Sequence, residues 1–304
     1  MYVTFATCWY SLNSKFPADT YLRWMRHMLA EVVNYNLVLF TDQVGEALLR
    51  DHFAEYYFQN PRIKIVQKPI ETWHNYHYKN SWIKNHEMNT LLNNKTEWKL
   101  NMLWAEKINF VNEARINRYF PETDFYGWCD IGYFREGPCP TFCTTPKILA
   151  LNKNKIYYAC VDANQFAGLR MIVEHKNEKG LPTIPIPPQQ NSIAGGFFIA
   201  HHSKIEGWRQ LFDAKLRLYF DNNYLVKDDQ IILVDCILSE PQRFELIRGA
   251  APSTPGAAPS TPGAAPSTPG AANSSASPST PGAANSSASP STENPWFEFR
   301  RFLG

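Results

Sequence analysis

The chain contains no run of the roughly 20 consecutive apolar residues that a membrane span needs, although it is 304 residues long. It also lacks a basic leader: Met1-Tyr2-Val3-Thr4-Phe5-Ala6-Thr7-Cys8 passes straight into strand-like sequence. No signal peptide is expected, and the cytosol is the expected compartment. Charge of one sign is missing too. The 30 basic and 28 acidic side chains leave a net charge of +2, which argues against the broad basic face used in sequence-independent nucleic-acid binding. The 6 cysteines are scattered through apolar contexts, in a chain too large to need disulfide staples, so reduced thiols are expected. Cys139-x-x-x-Cys143 has prolines around it and no second Cys/His pair at finger spacing, which argues against zinc. No Gly-x-Gly-x-x-Gly follows the first strand, and no Gly-x-x-x-x-Gly-Lys-Ser/Thr occurs anywhere. The dinucleotide and P-loop readings thereby lose their main support.

What is present is apolar and aromatic material, 44% and 14% of the residues respectively, enough for one large core. The clearest boundary follows Arg248. From about Gly249 to Thr292 the chain repeats Ala-Pro-Ser-Thr-Pro-Gly-Ala with Ala-Asn-Ser-Ser-Ala-Ser interruptions and no charge. Such a segment cannot bury enough apolar surface to offset ordering entropy, so 249–292 is predicted to be a disordered linker, spanning roughly 35–40 Å. Shortening it should leave activity intact. Residues 293–304 carry Trp296, Phe297, Phe299, Arg300, Arg301, Phe302 and Leu303, a composition that calls for a docking site; a return to the main domain, 1–248, is expected, and a free peptide for a partner protein is the alternative.

Within that domain the pattern alternates strand and helix. Strands are expected at Tyr2–Thr7, Asn36–Phe40, Arg62–Gln67, Ile156–Cys160 and Ile193–Ala200. Helices are expected at Asp19–Val33, with Leu22, Met25, Leu29 and Val33 on one face, at Gly45–Glu55, at Asn101–Tyr119, at Lys204–Phe220 and at Asp228–Leu238. This order predicts a single α/β domain with a mostly parallel sheet. Ligands of such sheets bind at the carboxyl ends of the strands, where Cys8, Thr41-Asp42 and Asp130 are expected.

Asp130 is the residue whose setting most invites chemistry. It ends the aromatic run Phe125-Tyr126-Gly127-Trp128-Cys129 and is followed by Ile131-Gly132. A carboxylate in so apolar a stretch is costly unless a cation or strong donors meet it. A strand-end turn is the plain alternative. Asp228-Asp229-Gln230 opens an apolar helix. One carboxylate suffices for capping, which leaves the other, preferentially Asp229, for proton transfer. Gly195-Gly196 suits either a close backbone approach to a sugar or a β-bulge. Trp73-His74-Asn75-Tyr76-His77-Tyr78 reads either as an acceptor-shaping loop or as a packed one.

Taken in order, Phe40-Thr41-Asp42, the helix bearing Lys107, Tyr126 to Arg135, Ala194-Gly195-Gly196-Phe197-Phe198, Asp228 to Leu233 and Phe244-Glu245-Leu246 resemble the HtrL/YibB family, which is similar to GT-A glycosyltransferases. The resemblance implies a GT-A-like fold and transfer of a hexosyl or pentosyl group from a nucleotide diphosphate sugar, UDP-sugar favoured, to a glycan acceptor. It implies Mn2+ or Mg2+ on Asp130, with His202 as a further metal ligand. It also implies donor contacts from Ala6, Thr7, Thr41, Asp42, Lys107, Asp130, Gly132 and Arg135, sugar contacts from Gly195 and Gly196, and catalysis by Asp229 with Asp228. The Asp-x-Asp usual in such enzymes is here Asp130-Ile131-Gly132, with one carboxylate. Two rivals make different demands. A sugar-phosphate nucleotidyltransferase normally has a glycine-rich, basic loop after the first strand, and Ala6 to Lys15 contains no glycine. A non-enzymatic glycan-binding protein would need no nucleotide.

Overall fold

The computed structural model describes residues 2–137, 139, 141–248 and 294–303. The expected linker at 249–292 lies outside the described residues. Seven strands form one sheet: β1 (Tyr2–Trp9), β2 (Asn36–Thr41), β3 (Ile63–Gln67), β4 (Thr123–Cys129), β5 (Ile156–Cys160), β6 (Ile193–His201) and β7 (Phe244–Arg248), in the order β3-β2-β1-β4-β6-β5-β7. β6 runs against its neighbours β4 and β5, and the other pairings are parallel. The domain is thus a mixed, mostly parallel sheet.

The described helices are α1 (Ala18–Ala30), α2 (Gln43–His52), α3 (Glu55–Phe58), α4 (Lys79–Met88), α5 (Trp98–Ile116), α6 (Thr145–Leu149), α7 (Ala163–Glu174), α8 (His202–Asp221), α9 (Asp229–Ser239) and α10 (Glu298–Phe302). Strand residues alternate between two cores, as a period of two requires. Val38, Phe40 and Trp128 pack with Phe110 of α5, Trp208 of α8 and Ile231 of α9, whereas Leu37, Leu39 and Phe125 pack with Met25 and Met28 of α1. The sheet is therefore the middle layer of three. The second core also takes in Phe297, Phe299 and Leu303. The Phe299 ring centroid lies 4.4 Å from that of Phe197, its N–H donates to the Tyr133 hydroxyl at 3.1 Å, and Cys143 N–H donates to Leu303 O at 2.8 Å.

Some element ends differ from the sequence expectation. α1 stops at Ala30, and Val33 lies beyond it and is exposed, so Val33 is not part of the apolar face. The helix expected over Gly45–Glu55 begins at Gln43, because Asp42 Oδ1 accepts the Gly45 N–H at 2.7 Å, and breaks at Phe53 where the backbone is extended. β1 extends to Trp9, two residues past its expected end.

Candidate active site

The carboxyl ends of β1 and β4 and the start of α9 frame a cleft of about 450 Å³. Lys107 lies at its base. α5 packs against the sheet with Lys107 among its buried residues, so the Lys107 side chain reaches the cleft with little exposure. Its Nζ lies 3.3 Å from Asp130 Oδ1 and 3.2 Å from Asp229 Oδ2, and it donates to the Gly195 carbonyl at 2.8 Å. Burial works against the lysine charge, but Asp130 and Asp229 outweigh it and hold the pKa above the ordinary lysine value. One ammonium group therefore binds two carboxylates that lie far apart in the sequence.

The two acids sit in different surroundings. Asp130 follows the last residue of β4, and its side chain is 42% exposed, more open than the apolar run implies. Its Oδ1 accepts from Trp128 Nε1 at 2.5 Å, and its N–H donates to Gly196 O at 2.8 Å. Asp229 is buried at the first turn of α9. Its pKa is raised to about 6: burial pushes it up most, Lys107 pulls it down, and Asp228 and Asp130 add to the rise. Asp228 caps α9 by accepting the Gln230 N–H at 3.2 Å and pairs with Lys227 at 2.7 Å. A helix start favours acidic groups, and here the two adjacent acids divide between capping and the cleft.

Gly195 and Gly196 make room for these carboxylates. A Cβ on Gly195 would fall 2.8 Å from Asp229 Oδ2, and one on Gly196 would fall 3.1 Å from Asp130 Oδ2. Above this base the walls are aromatic. Trp24 meets Phe16 and Tyr21 edge-on, with centroids 5.1 and 5.4 Å apart. The Arg135 guanidinium lies between Trp24 and Phe297, 4.5 and 4.9 Å from their ring centroids. Arg135 Nε also donates to Gly132 O at 2.9 Å. Lys15 lies 4.5 Å from the Trp104 ring centroid, and Asn294, Trp296 and Phe297 bring the carboxyl-terminal segment to the rim.

Lys107, Asp130, Gly132, Arg135, Gly195, Gly196, Asp228 and Asp229 all line this cleft. Other expected residues do not. Because β1 runs on to Trp9, Cys8, Trp9 and Tyr10 reach the cleft, while Ala6 and Thr7 stay buried inside the strand. Thr41 donates to the Trp9 carbonyl at 2.6 Å and Asp42 caps α2, and neither lines the cleft. His202 opens α8 next to His201, which pairs with Phe125 at the start of β4. That puts it roughly 17 Å from Asp130, a strand length away, and His202 is not a ligand in common with Asp130. The Trp73–Tyr78 stretch forms 3-10 turns outside the cleft, with Trp73 and Asn75 buried. Sequence reasoning missed Trp24, Lys15, Trp104 and Trp296, which carry no local motif.

The fold and cleft define a single-domain α/β protein that holds a lysine-bridged acidic pair at its strand ends. It belongs to the HtrL/YibB family, described as bacterial proteins of unknown function, whose sequence profile matches residues 9–251. No curated protein sequence matches the chain. Among solved structures, mouse xyloside xylosyltransferase 1 in its apo form aligns at TM-score 0.44 and 10% identity, covering 81% of this chain and 84% of the other. Core-mannan synthase A from Aspergillus fumigatus, in its Mn/GDP form, aligns at TM-score 0.43 and 8% identity, covering 81% and 72%.

Proposed function

We propose that the chain is a GT-A-like glycosyltransferase, moving a hexosyl or pentosyl group from a nucleotide diphosphate sugar, UDP-sugar favoured, to a glycan acceptor. The observation that carries this reading is the Lys107–Asp130–Asp229 cluster, open to an aromatic-walled cleft at the carboxyl ends of the strands. In this reading residues 1–248 form the transferase domain, 249–292 are a linker, and 293–304 are a terminal segment whose Asn294, Trp296 and Phe297 complete the cleft rim.

Each group has a task that its surroundings suit. Aromatic walls stack on the nucleoside base. Lys107, held protonated by its two partners, neutralises charge as the diphosphate departs. Asp229 is the base. In an inverting transfer the acceptor oxygen bonds to the anomeric carbon, the bond from that carbon to the diphosphate oxygen breaks, and the acceptor proton passes to the Asp229 carboxylate. A carboxyl group raised to about 6 is ionised at neutral pH yet basic enough for that task. Asp228 holds the helix start and so fixes the position of Asp229.

The residues fit a divalent ion through one oxygen. Asp130 Oδ1 is taken by Lys107 and Trp128, whereas Oδ2 faces the space that Gly196 leaves clear. One carboxylate together with substrate phosphate oxygens is a set that Mg2+ or Mn2+ accepts. Such an ion, when bound, supplies further positive charge to the diphosphate.

Purified protein incubated with a panel of nucleotide sugars and glycan acceptors, with and without Mn2+, should release a nucleoside diphosphate from one donor. Asp130→Ala should abolish that release. Glycan binding indifferent to every nucleotide would instead identify a glycan-binding protein, and formation of a nucleotide sugar from a sugar phosphate would identify a nucleotidyltransferase.

A further inference from the structure

On the outer side of α5, away from the cleft, a second cluster joins the turn before α4 to α8. His74 and His77 lie three residues apart on a 3-10 turn, a spacing at which side chains eclipse, and their ring centroids are 5.0 Å apart. His74 Nε2 lies 3.1 Å from Asp213 Oδ1. One ligand atom from each of His74, His77 and Asp213 falls within 4.8 Å of the others. None of the three lines the cleft.

The turn is held from beneath by a buried carboxyl group. The Glu106 carboxylate, fully buried, accepts from His74 N–H at 2.7 Å, Asn75 N–H at 2.8 Å and Asn75 Nδ2 at 2.7 Å. His77 Nδ1 bonds the His74 carbonyl oxygen, which orients the ring and leaves its other nitrogen available. Metal-ligating histidines are commonly fixed by such a backbone bond. The Tyr78 hydroxyl also donates to Asp213 Oδ1, at 3.5 Å.

We propose that His74, His77 and Asp213 bind a transition-metal dication of the Zn2+ class, separate from the cleft, which pins this turn to α8. Two imidazoles and a carboxylate are a donor set for such an ion and not for Mg2+. Zn–N and Zn–O bonds near 2.1 Å place ligand atoms about 3.4 Å apart; His74 Nε2 and Asp213 Oδ1 stand at 3.1 Å, and the His77 ligand atom lies within 4.8 Å of both. Three protein ligands leave one position for water.

The test is calorimetric titration of the chelator-treated full chain with Zn2+, supported by the visible absorption of a Co2+-loaded sample. One saturable site is expected. His77→Ala and Asp213→Asn should each weaken it at least about tenfold, and Asp130→Asn should leave it unchanged. Absence of a saturable site in the wild type would overturn the proposal. So would binding undiminished in both variants, which would place the metal away from this cluster.

Discussion

α9 carries two buried acids six residues apart, and their surroundings differ in a way that separates structure from chemistry. Asp235, near the end of the helix, accepts from the Tyr219 hydroxyl at 2.8 Å and the Ser239 hydroxyl at 2.9 Å. It also meets Lys215 at 3.0 Å and Lys176 at 3.6 Å. Its side chain is fully buried, and it does not line the cleft. Asp229, at the start of the same helix, shares Lys107 with Asp130, borders a cleft of about 450 Å³ and has its pKa pushed up to about 6. A closed cluster with donors to both oxygens holds the fold together. An open one with its charge only partly met is placed to act on a ligand.

Substitutions at the two acids should break the comparison apart. The largest effect is expected from Asp229→Asn, which should lower transfer by about 10²- to 10⁴-fold while the protein stays folded, as a rate assay paired with circular dichroism would register. Asp235→Ala should do the reverse. Leaving Lys215 and Tyr219 without their buried acceptor should cost about 3–5 kcal/mol in urea unfolding, with the rate per folded molecule unchanged. Equal losses of rate from both substitutions would erase the distinction.

The pH behaviour sharpens the same contrast. If Asp229 is the base, the rate should fall below about pH 6 as its carboxylate is protonated. Lys107 lowers that pKa, so Lys107→Met should move the acidic limb of the pH–rate profile upward by about one unit or more. The smallest effect is on stability. Folding raises the Asp229 pKa from 3.8, so its contribution is fully present below pH 3.8 and is lost as pH rises through about 6. Asp229→Asn should flatten that part of the stability profile, measured by unfolding at closely spaced pH values.

The contrast also shows what the sequence carried. β5 has its expected ends, Ile156–Cys160, because a short apolar run bounded by polar turns admits few alternatives. The doubled acid at 228–229 and the isolated acid at 130 stood out because their local settings were unusual, and the fold brings them to one cleft. Ala6 and Thr7, expected at the end of β1, lie inside it and away from the cleft because the strand runs two residues further, Trp9 and Tyr10 being as strand-compatible as what precedes them. His202 was misplaced because its distance from Asp130 depends on β6 running antiparallel to β4, which no local pattern specifies. Trp24 and Trp104 gave no sign of lining a cleft, since an aromatic at helical spacing looks the same whether it faces a core or a ligand. α4, with a weakly amphipathic and largely polar sequence, and β7, which pairs with β5 across the end of the sheet, were likewise set by tertiary packing.

The most direct measurement is thermal stability against nucleoside diphosphates and their sugars, with and without Mn2+, for the wild type, Asp130→Ala and Asp235→Ala. The account predicts a rise in Tm specific to one nucleotide in the wild type, lost in Asp130→Ala and retained, from a lower baseline, in Asp235→Ala. No shift with any nucleotide, or a shift that survives Asp130→Ala, would contradict it.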